Sequence, residues 1–169
     1  PGLWTFAVRN GALPDGATAV DSIDYSSRNG PLTVDLATAA APSVSSHTDI
    51  DKFVGSASAA DILVGPDTAI VLWSLSGANQ GTVGEMAFEG FENLTGAAGS
   101  DDLFVFEKNA DGTGSLTGIV AGGDGGTDSV IVRDSDTEAL ALNPNAADSS
   151  GSVTLFGRTV NYAGLDPQQ

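Results

Sequence analysis

Three segments of this chain share one order of residues, in which small residues lead to an aspartate and then to an aliphatic residue. They cover residues 55–63, 96–103 and 123–130. In each, glycine, alanine and serine suit a tight turn, and the aliphatic residue two places after an aspartate is expected to point inward. Small residues let stacked turns approach at the strand spacing of about 4.8 Å. This order is typical of one coil of a solenoid, so it predicts short strands between tight turns.

Short apolar runs, each bounded by turn-forming residues, recur along the chain and favour strands over helices. The most alanine-rich stretch, residues 37–41, ends at Pro42 and lacks apolar residues at helical spacing. The sequence therefore predicts an all-β fold, a right-handed parallel β-helix (a β-solenoid). The alternative is an antiparallel β-sandwich, because Asn10–Gly11 and Asn29–Gly30 can form two-residue hairpin turns. The apolar runs are residues 32–36, 69–73, 103–106, 130–132, 140–142 and 153–156.

A longer internal repeat is also visible. Residues 21–25 align with residues 128–132 at an offset of 107 positions, the separation of Asp21 and Asp128. Residues 32–35 align with residues 140–143 at an offset of 108 positions. We expect residues 1–169 to form a single module with about one and a half copies of a unit of ~107 residues. Because repeated units form arrays, we also expect this module to be a fragment of a longer array.

The charge and the absence of cysteine exclude several classes of function. With 22 acidic and 6 basic residues, the net charge is −16, whereas a nucleic-acid binder that neutralises phosphates needs a basic face. The same charge disfavours attachment to an anionic membrane, and no apolar stretch approaches the length of a membrane span. Since the chain contains no cysteine, it has no disulfide, zinc–thiolate site, iron–sulfur cluster or cysteine nucleophile. We expect no nucleic-acid partner and no membrane insertion.

The aspartates of the glycine-rich segments are the candidate metal ligands. Calcium takes about six to eight oxygen ligands, and carboxylates on glycine-rich loops can supply them together with turn carbonyls. The candidates are Asp101 with Asp102 and Asp124 with Asp128, followed by Asp61. The alternative is that these aspartates cap turns through their own backbone. Of the 22 acidic residues 17 are aspartate, a residue that forms turns more readily than glutamate, and this favours the alternative.

Catalytic patterns are sparse, and we expect no enzyme and no cofactor other than calcium. The one histidine, His47, lies beside Ser46, but the G-x-S-x-G nucleophile turn is absent. Some parallel β-helices are polysaccharide lyases that combine a calcium-bound carboxylate with a basic residue. Only Arg133, among the six basic residues, has a dense acidic neighbourhood, and a surface ion pair explains that equally well. A lyase is therefore the third hypothesis for function.

Residues 96–103 resemble the G-G-x-G-x-D-x-U nonapeptide of repeats-in-toxin proteins, with Ala97 in place of the second glycine. Residues 123–130 resemble it with Asp124 at that place. Residues 91–96 and 116–123 are similar to phrases of very large bacterial surface proteins of the filamentous-haemagglutinin kind. Together these resemblances cover about residues 20–133.

The resemblance implies a secreted or surface-displayed β-solenoid module of an adhesin or matrix protein. The implied function is structural and adhesive without catalysis, and the implied partners are other copies or neighbouring repeats, joined end to end. The second hypothesis is a module that binds surface glycans or a partner protein and is stabilised by calcium. The implied location is extracellular or on the bacterial cell surface.

Overall fold

The fold is all-β, as the sequence predicts. The computed structural model describes residues 20–44, 50–109, 112–134, 137–142, 150–155 and 157–166, and within these it contains strands and no helix. It follows that no helix suited to crossing a membrane exists in these ranges. The strands are β1 Ser22–Asp24, β2 Thr33–Asp35, β3 Lys52–Val54, β4 Ile62–Val64, β5 Ile70–Gly77, β6 Gln80–Val83, β7 Met86–Glu89, β8 Asn93–Thr95, β9 Asp101–Asn109, β10 Gly112–Thr113, β11 Ile119–Ala121, β12 Ser129–Asp134, β13 Thr137–Leu142, β14 Gly151–Leu155 and β15 Arg158–Ala163.

The strands form two mixed sheets. The wide sheet has nine strands in the order β1-β3-β7-β6-β5-β9-β12-β13, with β10 paired to β9. The narrow sheet has six in the order β14-β15-β11-β8-β4-β2. From β2 to β15 every neighbouring pair of the narrow sheet is parallel, and so are the pairs β1–β3, β3–β7, β5–β9 and β9–β12. Parallel neighbours must be joined by long connections. Here those connections pass through the other sheet.

The chain turns between the sheets at two corners, where equivalent backbone groups hydrogen-bond to one another. At the first corner the chain leaves the wide sheet, and the N–H groups of Tyr25 and Gly55 donate to Val54 and Glu89 carbonyls at 3.0 and 2.7 Å. At the second corner it leaves the narrow sheet. There the N–H groups of Leu36, Gly65, Gly96 and Gly122 donate to the carbonyls of Val64, Thr95, Ala121 and Ala163 at 2.8–3.1 Å.

The inward side chains of both sheets pack in one hydrophobic cluster. In the narrow sheet Val34, Leu63, Leu94 and Val120 are aligned on successive strands, and each is fully buried. In the wide sheet Trp73 stacks on Phe104 with ring centroids 5.2 Å apart, and it meets Phe88 edge-on. Side chains in one row therefore come from residues that are 26 to 31 positions apart along the chain.

The two sheets differ in width because β5 and β6 form a hairpin found only in the wide sheet. Between β3 and β9 lie three strands, β7, β6 and β5, whereas only β8 lies between β4 and β11. Its second strand, β6, pairs antiparallel with β7, with Thr82 opposite Ala87 and Val83 opposite Met86. Two extra strands are thereby inserted on one side of the core.

Several predictions about elements can be compared with these strands. Each of the six apolar runs overlaps a strand in its described residues, as predicted. The hairpin prediction at Asn29–Gly30 is wrong, because these residues connect β1 and β2, which belong to different sheets. Asn10–Gly11 lies outside the described residues. The repeat with an offset of 107 places residues 21–25 and 128–132 at β1 and β12 of the wide sheet. Residues 32–35 fall at β2 and residues 140–142, the described part of the second match, at β13, which belongs to the other sheet.

Candidate functional site

Buried carboxylates stand where strands begin, directly after the glycine turns of the corners. Asp61 and Asp102 are fully buried and Asp128 is 1% exposed. Each follows a corner glycine by six residues. A Cβ at Gly96 or Gly122 would overlap the aspartate carboxylate of its own turn and a carbonyl oxygen of the next turn, and a Cβ at Gly55 would overlap the Gly90 carbonyl. Only glycine lets these turns fold so closely over the carboxylates.

At the second corner the buried Asp128 and the partly buried Asp166 each accept a backbone hydrogen bond from the preceding strand start. The Asp102 N–H donates to Oδ1 of Asp128 at 2.9 Å. The Asp128 N–H in turn donates to Oδ2 of Asp166 at 3.0 Å. These N–H groups lie at strand starts, and the carboxylates satisfy them, which matters because an unpaired buried donor is costly.

The first corner repeats this arrangement with Asp61 and Glu92. The Leu32 N–H donates to Oδ1 of Asp61 at 3.0 Å, and the Asp61 N–H donates to Oε2 of Glu92 at 3.1 Å. Asp61 also accepts hydrogen bonds from the N–H and the hydroxyl of Ser56 in its own turn. Asp61 and Glu92 thus continue the same pattern on the opposite side of the core.

Asp102 has a second partner in the core. The indole N–H of Trp73 donates to its Oδ1 at 2.7 Å, while its Oδ2 is buried with no hydrogen-bond partner. Burial raises the pKa of Asp102, and the hydrogen bonds from Trp73 and the Ala97 backbone oppose this. Burial also raises the pKa of Asp128 to about 7, with the Asp102 and Asp166 carboxylates adding to the rise and the Asp102 N–H opposing it. The second corner therefore raises the pKa of both carboxyl groups and favours the protonated form of Asp128 up to about neutral pH.

The five predicted calcium ligands do not come together. Asp101 and Asp102 lie on β9, where successive side chains point to opposite faces, so Asp101 is exposed and accepts the Thr127 N–H at 2.7 Å. Asp124 is exposed in its turn, and Asp61 lies at the other corner. Among the described residues no group of three or more histidine, aspartate or glutamate side chains could hold a metal ion. Asp102 and Asp128 are the candidates that meet, through the Asp102 N–H.

In one of the three glycine–aspartate segments, the buried residue is not the one that the motif predicts. Leu63 and Val130 are fully buried, as the motif predicts for the residue two places after the aspartate. In the middle segment Leu103 is partly exposed and Phe104 is buried. The aspartate equivalent to Asp61 and Asp128 is thus Asp102, and the motif is shifted by one residue there.

Sequence reasoning missed Glu92 and Asp166 as members of these stacks. Glu92-Asn93-Leu94 aligns with Asp61-Ile62-Leu63 in the narrow sheet. An acidic residue two places before a buried leucine was therefore a usable signal for Glu92. Asp166 is close to a corner glycine, Gly164, but no apolar run follows it in the sequence.

The candidate catalytic residues are placed as follows. His47 lies outside the described residues. Arg133 makes an ion pair with Glu107 on the neighbouring strand, at 3.2 Å between Nη1 and Oε1. Both side chains keep contact with solvent, which is the geometry of a surface ion pair of small energetic weight.

In comparisons with known proteins, no family model, no curated protein and no solved structure matches the chain.

Proposed function

We propose that this chain is a right-handed β-solenoid module of a larger bacterial surface or extracellular repeat protein, with a structural and adhesive role and no catalysis. The observation that carries the proposal is the parallel stack β2-β4-β8-β11-β15, whose members occur in chain order. Each strand is reached after a pass through the wide sheet. Parallel strands joined by such crossovers are right-handed in nearly all proteins.

The inner rows of side chains support a spacing or scaffold role. Rows such as Val34, Leu63, Leu94 and Val120 bury each strand against its neighbours, so stability comes from contacts between successive passes of the chain. This is how repeat proteins reach great length from small units. The resemblance of residues 91–103 and 116–130 to bacterial surface repeats agrees with that role.

Glycan recognition is less well supported than scaffolding. Sugar-binding faces commonly offer exposed aromatic rings, but in the described part of the chain the aromatic side chains are buried, apart from the half-buried Tyr162. Trp73, which could have served as a sugar platform, is fully buried against Phe104.

End-to-end association would use the free edge of the narrow sheet. Among the described strands β2 is the last of that sheet and pairs with β4, while Asp35 at its end bridges to Ala40. The Leu36 N–H donates to Val64 of the neighbouring turn. Because N–H directions alternate along a strand, the Thr33 N–H points away from β4. An outward N–H at the edge of a sheet can accept a strand from another copy.

The test is the mass of the chain in solution as a function of concentration, measured by sedimentation velocity. We expect association that Thr33→Pro weakens, since proline removes the outward N–H. Thr33→Val, which keeps that N–H, should associate like the original chain. Circular dichroism would verify that each variant is folded. A chain that stays monomeric at high concentration, or a Thr33→Pro variant that associates unchanged, would contradict the end-to-end mode.

A further inference from the structure

A cleft of about 450 Å³ opens at the second corner, beside the turn between β6 and β7. Its volume lies in the range of small-molecule sites, roughly 300–1,000 Å³. Five of its lining residues are apolar, and all five are at least partly buried. These are Leu36, Ile50, Pro66, Val83 and Met86.

The cleft follows from the unequal width of the two sheets. β2 and β4 are neighbours in the narrow sheet, but the strands they lead to, β3 and β5, are separated by β7 and β6 in the wide sheet. The two connections at this corner therefore diverge, and the turn at Gly84 and Glu85 stands between them. Gly84 has φ of +57°, a conformation that glycine adopts without strain.

Two exposed carboxylates, from Asp51 and Glu85, line the cleft together with the polar Thr68. Oδ2 of Asp51 accepts the N–H of Asp21 at 2.7 Å, which fixes this side chain beside the cleft. Among the lining residues that the structure describes there is no lysine or arginine. Lys52, the next residue along the chain, points its charge at Glu89, with Nζ 2.7 Å from Oε2.

We propose that this cleft binds a small primary aliphatic amine, with its ammonium group at Asp51 and Glu85 and its hydrocarbon chain along Leu36, Val83 and Met86. Charged hydrogen bonds between ammonium and carboxylate give the orientation, and the buried apolar area supplies the remaining affinity. The net charge of −16 raises the local concentration of cations and excludes anions. This binding activity is independent of the scaffold role proposed above.

The test uses the 169-residue chain and hexylammonium as the probe, followed through backbone amide resonances in NMR at physiological salt. Hexanol and hexanoate serve as matched probes with the same hydrocarbon chain. Glu85→Gln and Asp51→Asn remove one charge each, while Asp67→Asn removes an exposed charge from the adjacent loop outside the cleft.

We expect hexylammonium to shift the resonances of Val83 and Met86 saturably, hexanol to bind more weakly and hexanoate not to bind. Because both carboxylates are exposed, loss of one charge should weaken hexylammonium binding about two- to fivefold in Glu85→Gln or Asp51→Asn. Asp67→Asn should bind like the original chain. Shifts spread over the whole acidic surface, equal binding by all three probes, or unchanged binding by both cleft variants would each overturn the proposal.

Discussion

Asp128 links the protonation of one side chain to the stability of the whole fold. Burial raises its pKa to about 7, and the Asp102, Asp166 and Asp101 carboxylates act in the same direction. In the unfolded chain the pKa returns to the ordinary aspartate value of about 3.9. Between these two values the folded state therefore holds a proton that the unfolded state releases. The resulting stabilisation is complete below the unfolded pKa and is lost as the pH rises through the folded pKa.

We predict that Asp128→Asn flattens the decline in unfolding free energy between about pH 4 and 7. One such proton changes this free energy by at most about 1.4 kcal/mol per pH unit. Asparagine keeps an Oδ1 acceptor for the Asp102 N–H but cannot ionise. The measurement is urea unfolding followed by circular dichroism at several pH values. Asp124→Asn is the control, because Asp124 is exposed in the same turn. Equal slopes for Asp128→Asn and the original chain would show that Asp128 does not hold the proton.

At the scale of elements, the hairpin of β5 and β6 is held in place by one residue at its tip. Asn79 has φ of +53°, and its backbone joins two otherwise separate parts of the chain through Ser115 and Gly90. Its side chain accepts the Thr117 N–H at 2.9 Å and donates to Oε1 of Glu92 at 3.2 Å. The hairpin tip thus adds further hydrogen bonds to those that join two passes of the chain at the first corner.

Replacing Asn79 with glycine should destabilise the chain by roughly 1–3 kcal/mol, because Glu92 and the Thr117 N–H lose partners. Glycine tolerates the positive φ, so the effect isolates the side chain. Hydrogen exchange should speed up most in β5 and β6, and thermal unfolding gives the total loss. Asn29→Gly, a change at an exposed turn, is the control. A loss no larger than that of the control would mean that the side chain does not hold the hairpin.

Of the six strands that apolar runs mark in the sequence, five have five or more residues and β2 has three. β5 alternates between buried and exposed residues over most of its eight positions, and an apolar run marks it. β1, β3, β4, β8 and β11 have three residues each, with one buried side chain at the centre. Three residues are too few to display a period of two, so pairing with distant strands determines them.

The candidate site, like the strands, was predictable from the sequence only in part. The glycine turns and the aspartates after them were visible in the sequence, and three of those aspartates are buried. Which aspartate of Asp101 and Asp102 faces inward depends on where β9 begins, and a one-residue shift reverses the face. The cleft was not visible, because it depends on how two sheets of different width meet.

At the scale of the whole molecule, we predict that calcium does not stabilise the fold. The Asp102 and Asp128 carboxylates already accept hydrogen bonds from Trp73 and from the backbone. In the described ranges no metal-binding group of three carboxylates or imidazoles is present. The melting temperature should therefore be the same in excess chelator and in millimolar calcium, measured by far-ultraviolet circular dichroism. A rise of several degrees in calcium would mean that the folded state binds the ion, since only preferential binding raises it.

The unequal width of the two sheets has a consequence for any long assembly of such modules. Each added strand widens a sheet by about 4.8 Å, so the hairpin of β5 and β6 adds about 10 Å to one side of the core. The module is therefore thicker on the side of the wide sheet than on the side of the narrow sheet, in the manner of a wedge. A fibre built from identical copies would then follow an arc with the wide sheet on the convex side. Deleting the hairpin would reduce this curvature, and it would also remove core side chains such as Trp73, Leu75 and Val83.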